Sequence, residues 1–343
     1  MELYPCSMRL SSDCGITAER IEVNVGDDLI IEYVQLFGGL ILLVFASDWL
    51  VDGAVDLAKR WGLPPFVVGL TIVAYGTSLP EFVVSVLASS KGVADFAVGN
   101  VVGSNIANIG LVLGTAALIH HITVSSEALY RRDIPLLGLA TGVAVYAIHD
   151  GRIDRWEAST LFLIAIVFTV MSLRTPEDEG DADEDDLLPI ARMLGLLIVG
   201  FAGLVYGADL MVDGGTAIAL ELGISERIVG LTIVAIGTSL PELAASVAAA
   251  RKGHPELAIG NVVGSCLFNL AFVLGAAALI NPLAVAAFDM RWDLVTMCGL
   301  TLLMFTMLRT GRTVTRLEGA CLLCLYVGYI THLVLDSTIG LTL

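Results

Sequence analysis

The chain writes one unit twice. GLTIVAYGTSLPE at 69–81 returns as GLTIVAIGTSLPE at 230–242 with a single difference, and GNVVGS at 99–104 returns unchanged at 260–265. The offset is 161 throughout, and between 69–114 and 230–275 it leaves 28 of 46 positions identical without a gap. The relation extends beyond these motifs: Asp48, Asp52 and Gly53 match Asp209, Asp213 and Gly214, while GRIDRWE at 151–157 is paralleled by GRTVTRLE at 311–318 with one residue inserted. An internal repeat this strong limits the fold to two copies of one substructure packed together.

The medium is set by composition. Of 343 residues 56% are hydrophobic and 15% charged, and the mean hydropathy is +0.84, well outside the makeup of a soluble domain. Apolar runs of about 20 residues suffice to cross a bilayer as helices. Ten such runs occur, roughly at 31–58, 64–90, 94–119, 130–149, 156–173, 190–221, 225–250, 255–280, 290–308 and 317–336. Five spans per copy is an odd number, so the second copy must enter the membrane from the opposite side. The expected fold is an all-α integral membrane protein of ten transmembrane helices, arranged as two inverted five-helix repeats with discontinuous helices meeting at the midplane, a recurrent design of secondary transporters.

The expected segments follow: a polar tail over 1–28, a first repeat over 29–173, an acidic cytoplasmic linker over 174–189, a second repeat over 190–337 and a short tail over 338–343. Residues 1–28 lack the basic stretch and apolar core of a signal peptide. EDEGDADEDD at 177–186 carries eight acids of a chain with net charge −17, and such a run reads as a solvated linker, with a cation-sensing role as the alternative. Eleven of the 18 Lys and Arg residues fall on one side of the spans. The positive-inside bias makes that side cytoplasmic, with both termini outside a cell membrane crossed many times.

Within this apolar chain, Glu81 and Glu242 each sit inside a span. An ionisable group there costs several kcal/mol and marks a functional site by default. Thr77 and Glu81 are four residues apart on one helix face with Ser78 on its shoulder, and Thr238, Ser239 and Glu242 repeat the pattern. Pro80 and Pro241 have no N–H to give the preceding turn, which frees carbonyls around Gly76 and Gly237, back toward Ala74 and Ala235. Freed backbone at membrane depth needs protein, water or an ion to satisfy it. Carboxylate, hydroxyl and carbonyl oxygens together form the ligand set of a hard cation such as Ca²⁺ or Na⁺.

The next helix of each copy brings Ser104 and Asn108, then Ser265 and Asn269. These are candidate neutral oxygen ligands. The competing reading is that Ser and Asn bond across helices as membrane glue, with Gly99, Gly103, Gly260 and Gly264 allowing close backbone approach. Asn105 is set aside because its counterpart is Cys266.

With these motifs in view, the chain closely resembles the cation/Ca²⁺ exchanger superfamily, whose hallmark is a pair of inverted repeats carrying G-T-S-x-P-E and then G-N-x-x-G-S-x-x-x-[ND]. Both motifs occur twice, in order, and the resemblance spans nearly all of 29–337. It is most similar to the prokaryotic Na⁺/Ca²⁺ exchangers. The resemblance implies Glu81 and Glu242 as shared central ligands. Around them it implies ion ligands at Ala74, Thr77, Ser78, Ser104 and Asn108, and at Ala235, Thr238, Ser239, Ser265 and Asn269. Some members carry Asp where this chain has Asn269, so one titratable group fewer is expected.

Four acids remain: Asp48 and Asp52, and Asp209 and Asp213, each pair i, i+4 on the first helix of its copy. They either concentrate cations at the mouths of a pathway or are helix-end acids touching water. His120 and His121 read as interfacial. Cys321 and Cys324 form a CxxC with no second ligand pair, so they and the other span cysteines are expected to be packing residues, while Cys6 and Cys14 lie in the tail. The leading expectation is a secondary antiporter exchanging Ca²⁺ for Na⁺ by alternating access, not an enzyme. No cofactor and no nucleic-acid partner are expected, and the assembly expected is a monomer or weak homo-oligomer in lipid. The alternatives are an H⁺-driven divalent-cation antiporter and, more remotely, an intramembrane hydrolase using the Glu pair.

Overall fold

The computed structural model describes residues 25–124, 126–174, 187–223, 235–286 and 290–339. The acidic run 177–186, most of the N-terminal tail with Cys6 and Cys14, the last four residues and the first part of the expected span 225–250 lie outside the described residues.

The long elements are helices. The first copy holds α1 (Val25–Trp61), α2 (Pro65–Val68), α3 (Ala74–Thr77), α4 (Leu79–Ser90), α5 (Ala94–Ala107), α6 (Gly114–Ile119), α7 (Ile134–His149) and α8 (Arg155–Leu173). The second holds α9 (Ile190–Glu221), α10 (Ala235–Gly237), α11 (Leu240–Arg251), α12 (Pro255–Leu267), α13 (Leu274–Ile280), α14 (Arg291–Gly311) and α15 (Arg316–Ile339). π-helical turns at Gly69–Val73, Asn108–Leu113 and Phe268–Val273 join neighbouring pieces into continuous rods. α1 begins at Val25, inside the stretch expected to be tail. A helix can run on into water beyond the apolar run that crosses the bilayer, so hydropathy alone places its start too late.

Among the described residues, seven helices are long and apolar enough to cross a membrane, and the bent pair Pro65–Thr77 with Leu79–Ser90 adds an eighth. The span expected over 130–149 is helical throughout, the π turn Leu129–Asp133 running directly into α7. α7 has 16 residues, and the π turn Leu129–Asp133 that precedes it carries Arg131, Arg132 and Asp133.

Burial sorts the rods into a centre and a perimeter. In their most apolar stretches, Ala94–Ile119 and Pro255–Ile280 are 72% and 78% buried, whereas α1 and α9 are 22% and 28% buried. The motif helices are therefore wrapped by the others. α1 and α9 run antiparallel with backbones in contact: a Cβ on Gly214 would lie 2.5 Å from the Glu32 carbonyl, and one on Gly200 2.9 Å from the Leu50 nitrogen. Ascent along one helix is descent along the other. At the centre, a Cβ on Gly264 would lie 2.2 Å from the Leu70 carbonyl and one on Gly260 2.4 Å from that of Phe66, so α12 lies backbone to backbone against the rod Pro65–Thr77. Gly99 and Gly103, expected to do the same, meet no described atom within 4 Å. The segment that the repeat would set against them, 224–234, is outside the described residues.

Four two-residue strands close the ends. β1 (Ile122–Thr123) pairs antiparallel with β4 (Thr313–Val314), and β2 (Arg152–Ile153) with β3 (Leu283–Ala284). Each pairing crosses between the copies. The helices after β2 and β4 begin with matching capping boxes, Asp154 with Glu157 and Thr315 with Glu318, which satisfy the first free N–H groups of α8 and α15.

Candidate cation site

The two proline motifs break their helices at equivalent points. Ser78 sits at φ −86°, ψ 10° between α3 and α4, and Ser239 at φ −91°, ψ 4° before α11. Pro80 has no N–H for the Gly76 carbonyl, and the rods on either side of the break bend by 46°. Glu81 and Glu242 occupy the first turn of the second piece, where the positive end of the helix dipole favours a carboxylate. Both are fully buried.

The side chains of the two copies meet around these carboxylates. Ser78 Oγ donates to Glu242 Oε1 at 2.7 Å. Thr77 Oγ1 lies 3.3 Å from both the Ala74 carbonyl and Asn261 Oδ1. Ser104 and Thr238 face Glu81, and Glu81 and Glu242 lie close enough to repel one another. The Ala74 carbonyl accepts the Ser78 N–H at 3.0 Å as well, so it already has two protein donors. The helix backbone of Ala235 is described but its side chain is not.

Many oxygens of the repeated motifs are left without a hydrogen bond. Glu81 Oε1 and Oε2, Glu242 Oε2, Thr238 Oγ1, Ser239 Oγ, Ser265 Oγ, Asn108 Oδ1 and Asn269 Oδ1 are buried without a hydrogen-bond partner. A buried polar group left unpaired costs about 1–3 kcal/mol, so this cluster is stable only if something else satisfies it. Asn108 opens one π-helical turn and Asn269 stands second in another, and π turns are frequent at functional sites. Asn105 instead donates to the Val101 carbonyl of its own helix at 2.8 Å.

The charge available is that of the Glu pair. Among the described residues no group of three or more His, Cys, Asp or Glu side chains comes together. A cavity of about 640 Å³ bordered by Pro80, Phe201, Tyr206, Asp209, Gly237 and Thr238 runs along α9 to the second helix break, and Thr238 in turn faces Glu81.

The aspartate pairs have different surroundings. Arg251 Nη2 donates to Asp48 Oδ1 at 2.5 Å, and Lys252 Nζ donates to Asp52 Oδ1 at 2.7 Å and to the Asp48 carbonyl at 2.8 Å. Asp209 and Asp213 form no ion pair among the described residues, and the residues equivalent to Arg251 and Lys252 are Ser90 and Lys91. Cys266 is a buried packing residue as expected, but Cys321 and Cys324 are exposed, because α15 lies at the perimeter. His120 and His121 are exposed at the end of α6.

Two residues with direct bonds into the site went unremarked in the sequence. Asn100 Nδ2 donates to the Glu81 carbonyl at 3.2 Å and to Ser85 Oγ at 2.9 Å. Asn261 Nδ2 donates to the Glu242 carbonyl at 3.3 Å and to Ser246 Oγ at 2.9 Å. The signal was present, since the Asn of GNVVGS is repeated in both copies as faithfully as its Ser.

A multi-pass helical bundle with broken rods, two buried carboxylates and a surround of unbonded neutral oxygens has the build of a membrane cation transporter. Known proteins agree. The family described as sodium/calcium exchanger protein matches residues 31–174 and 192–335, and the chain belongs to that family. It is 38% identical to the putative antiporter CaxA of Alkalimonas amylolytica, over 88% of this chain and 98% of that protein. It is 31% identical to the sodium/calcium exchanger MaX1 of Methanosarcina acetivorans, again over 88% and 98%. The fold matches a solved structure of the sodium-calcium exchanger NCX_Mj with a TM-score of 0.78 and 33% identity, covering 88% of this chain and 99% of that one.

Proposed function

We propose that the chain exchanges Ca²⁺ for Na⁺ across the membrane by alternating access, as a ten-span protein of two inverted five-helix repeats with both termini outside. Glu81 and Glu242 serve as shared central ligands. Thr77, Ser78, Ser104 and Asn108, with Thr238, Ser239, Ser265 and Asn269, complete the ion positions, helped by the carbonyls of Ala74 and Ala235. The observation that carries this reading is the set of eight buried oxygens without hydrogen-bond partners, drawn from the motifs of both copies and including three of the four carboxylate oxygens of the Glu pair. The antiparallel packing of α1 on α9 supports the inversion of the repeats.

Charge counting favours Na⁺ as the counter-ion. Two ionised carboxylates supply about −2, which one Ca²⁺ balances. A proton-driven exchanger needs little more than those two groups, whereas hydroxyl and amide oxygens bind no proton at neutral pH and can replace Na⁺ hydration. Three Na⁺ in the site would leave about +1, so exchange for one Ca²⁺ would move charge and respond to voltage by about 2.3 kcal/mol per charge per 100 mV.

Vesicles loaded with Na⁺ and diluted into K⁺ medium test this. Ca²⁺ uptake should proceed with the pH gradient clamped at zero by an ionophore, and an inside-positive potential should speed it by favouring Na⁺ exit. Uptake that requires a pH gradient and ignores Na⁺ would replace Na⁺ with H⁺ as the driving ion.

A further inference from the structure

The amide of Asn261 is fixed by its own repeat and aimed at the other. An Asn side chain has two N–H donors and one carbonyl acceptor. Here Nδ2 serves the Glu242 carbonyl and Ser246 Oγ, both on α11. Turning the amide over would set Oδ1 against the Glu242 carbonyl, acceptor against acceptor. Only Oδ1 is therefore left to face Thr77 Oγ1, which lies 3.3 Å away in the first repeat. Asn261 is 1% exposed, so water does not compete for the contact.

A hydroxyl can serve a cation only through its lone pairs, with its single proton directed elsewhere. Thr77 has three acceptors within reach of that proton: Asn261 Oδ1, the Ala74 carbonyl, and the Glu242 carboxylate, which on the function proposed above is taken up by the ion. The Ala74 carbonyl also holds the Ser78 N–H and, on the function proposed above, contributes to an ion. Asn261 is the acceptor with no other demand on it. We propose that Asn261 is a positioning residue that takes the Thr77 proton and so turns the Thr77 oxygen toward Na⁺. Asn100 is its counterpart for Thr238. It makes the same two donations, to the Glu81 carbonyl and Ser85 Oγ, while Thr238 Oγ1 borders the cavity and faces the Glu81 carboxylate instead. In this structure the pairing is made on the Thr77 side alone.

The proposal rests on Thr77 being an ion ligand, and the test separates the two claims. Na⁺ half-saturation and maximal rate of Ca²⁺ exchange are measured in proteoliposomes for Thr77→Val, Asn261→Ala and the double variant. Each single change should raise the Na⁺ half-saturation about fivefold, the size of one lost hydrogen bond, with a much smaller effect on maximal rate. The double variant should be no worse than Thr77→Val alone, because coupled residues are not additive. Asn261→Ala adding its full effect to Thr77→Val, or lowering only the maximal rate, overturns the positioning role while leaving Thr77 a ligand. A Thr77→Val protein with unchanged Na⁺ dependence overturns the ligand reading and the positioning role with it. If Asn261→Ala does not fold, Ser246→Ala loosens the same amide more gently. It should raise the Na⁺ half-saturation about twofold, only when Thr77 is intact, and no shift there overturns the proposal.

Discussion

Lys252 Nζ sits 2.7 Å from Asp52 Oδ1, and with the neighbouring Arg251–Asp48 pair it ties the end of α11 to α1. At the repeat-related place on α9, Asp209 and Asp213 form no ion pair among the described residues, and the cavity there, about 640 Å³, is larger than the one of about 260 Å³ that borders Arg251 on the α1 side. On the pathway proposed above, one mouth is thus latched among the described residues and its counterpart is not.

Releasing the latch should shift the balance between the two mouths. Exposed ion pairs contribute about 0.2–1 kcal/mol each, so Asp48→Asn with Asp52→Asn should raise the open population of that mouth severalfold. Backbone hydrogen exchange across 248–254 should quicken to match while that of α14 stays unchanged. Equal rates in the variant and the parent would mean that the pairs are ornamental.

Replacing Glu81 or Glu242 with Gln should abolish Ca²⁺ transport and leave the protein folded. Each change removes half the charge that stands in for the ion's hydration, while neutralising a buried acid relieves the membrane cost of that charge. The measurement is flux beside size-exclusion behaviour. Wild-type flux in either variant refutes the central role.

Cargo should also stabilise the fold, because ions bound to the unpaired oxygens favour the native state. At a hundred times its dissociation constant, Ca²⁺ should add about 2.7 kcal/mol, seen as a higher melting temperature in detergent. The rise should vanish in the double Glu81→Gln, Glu242→Gln variant.

Packing at the centre gives a prediction free of ions. Gly264→Ala puts a methyl group where the Leu70 carbonyl already lies, an overpacking cost of about 1–3 kcal/mol or more. Gly142→Ala on the exposed side of α7, where a Cβ would meet nothing within 4 Å, should be close to neutral. Thermal stability of the two variants compares them directly.

At the protein's end, Arg312 hydrogen-bonds Glu127 at 2.7 Å, and its charge, together with that of Arg131, holds the Glu127 carboxyl below its ordinary range. A depressed carboxylate stabilises the fold above its unfolded pKa, and that contribution fades as pH falls through the lower, folded value. The effect is small at so exposed a site. Glu127→Gln should remove the corresponding slope from an acid unfolding series.

Much of the centre was legible because its residues obey local rules. The prolines and glutamates of the two G-T-S-L-P-E motifs declare a helix break and a buried charge by residue type alone, and both stand where the periodicity puts them. Asn108 and Asn269, singled out from their repeated spacing, are buried with side chains that lack a hydrogen bond. What escaped were relations between helices far apart in sequence. The ion pairs of Asp48 and Asp52 depend on α11 ending beside α1, some 200 residues away, and no spacing rule reaches that far. Asn261 escaped for a subtler reason: its importance lies in having both N–H groups already used, which only the folded arrangement reveals. Hydropathy was blind to the N-terminal extension of α1, where a helix and an apolar run do not coincide.

The strand pairs at the ends constrain how such a protein can move. β1 belongs to the first copy and β4 to the second, and β2 and β3 repeat the exchange, with Val124 N bonding the Arg312 carbonyl and Val285 N that of Gly151 as further stitches. Pulling the copies apart as two stiff blocks would tear both seams together. α1 and α9, peripheral and laid along one another, carry no strand seam among the described residues, and α1 is held to the centre by side chains, those of Asp48 and Asp52 among them. Any displacement of that pair against the centre would break salt links between side chains, whereas parting the copies would have to unzip backbone.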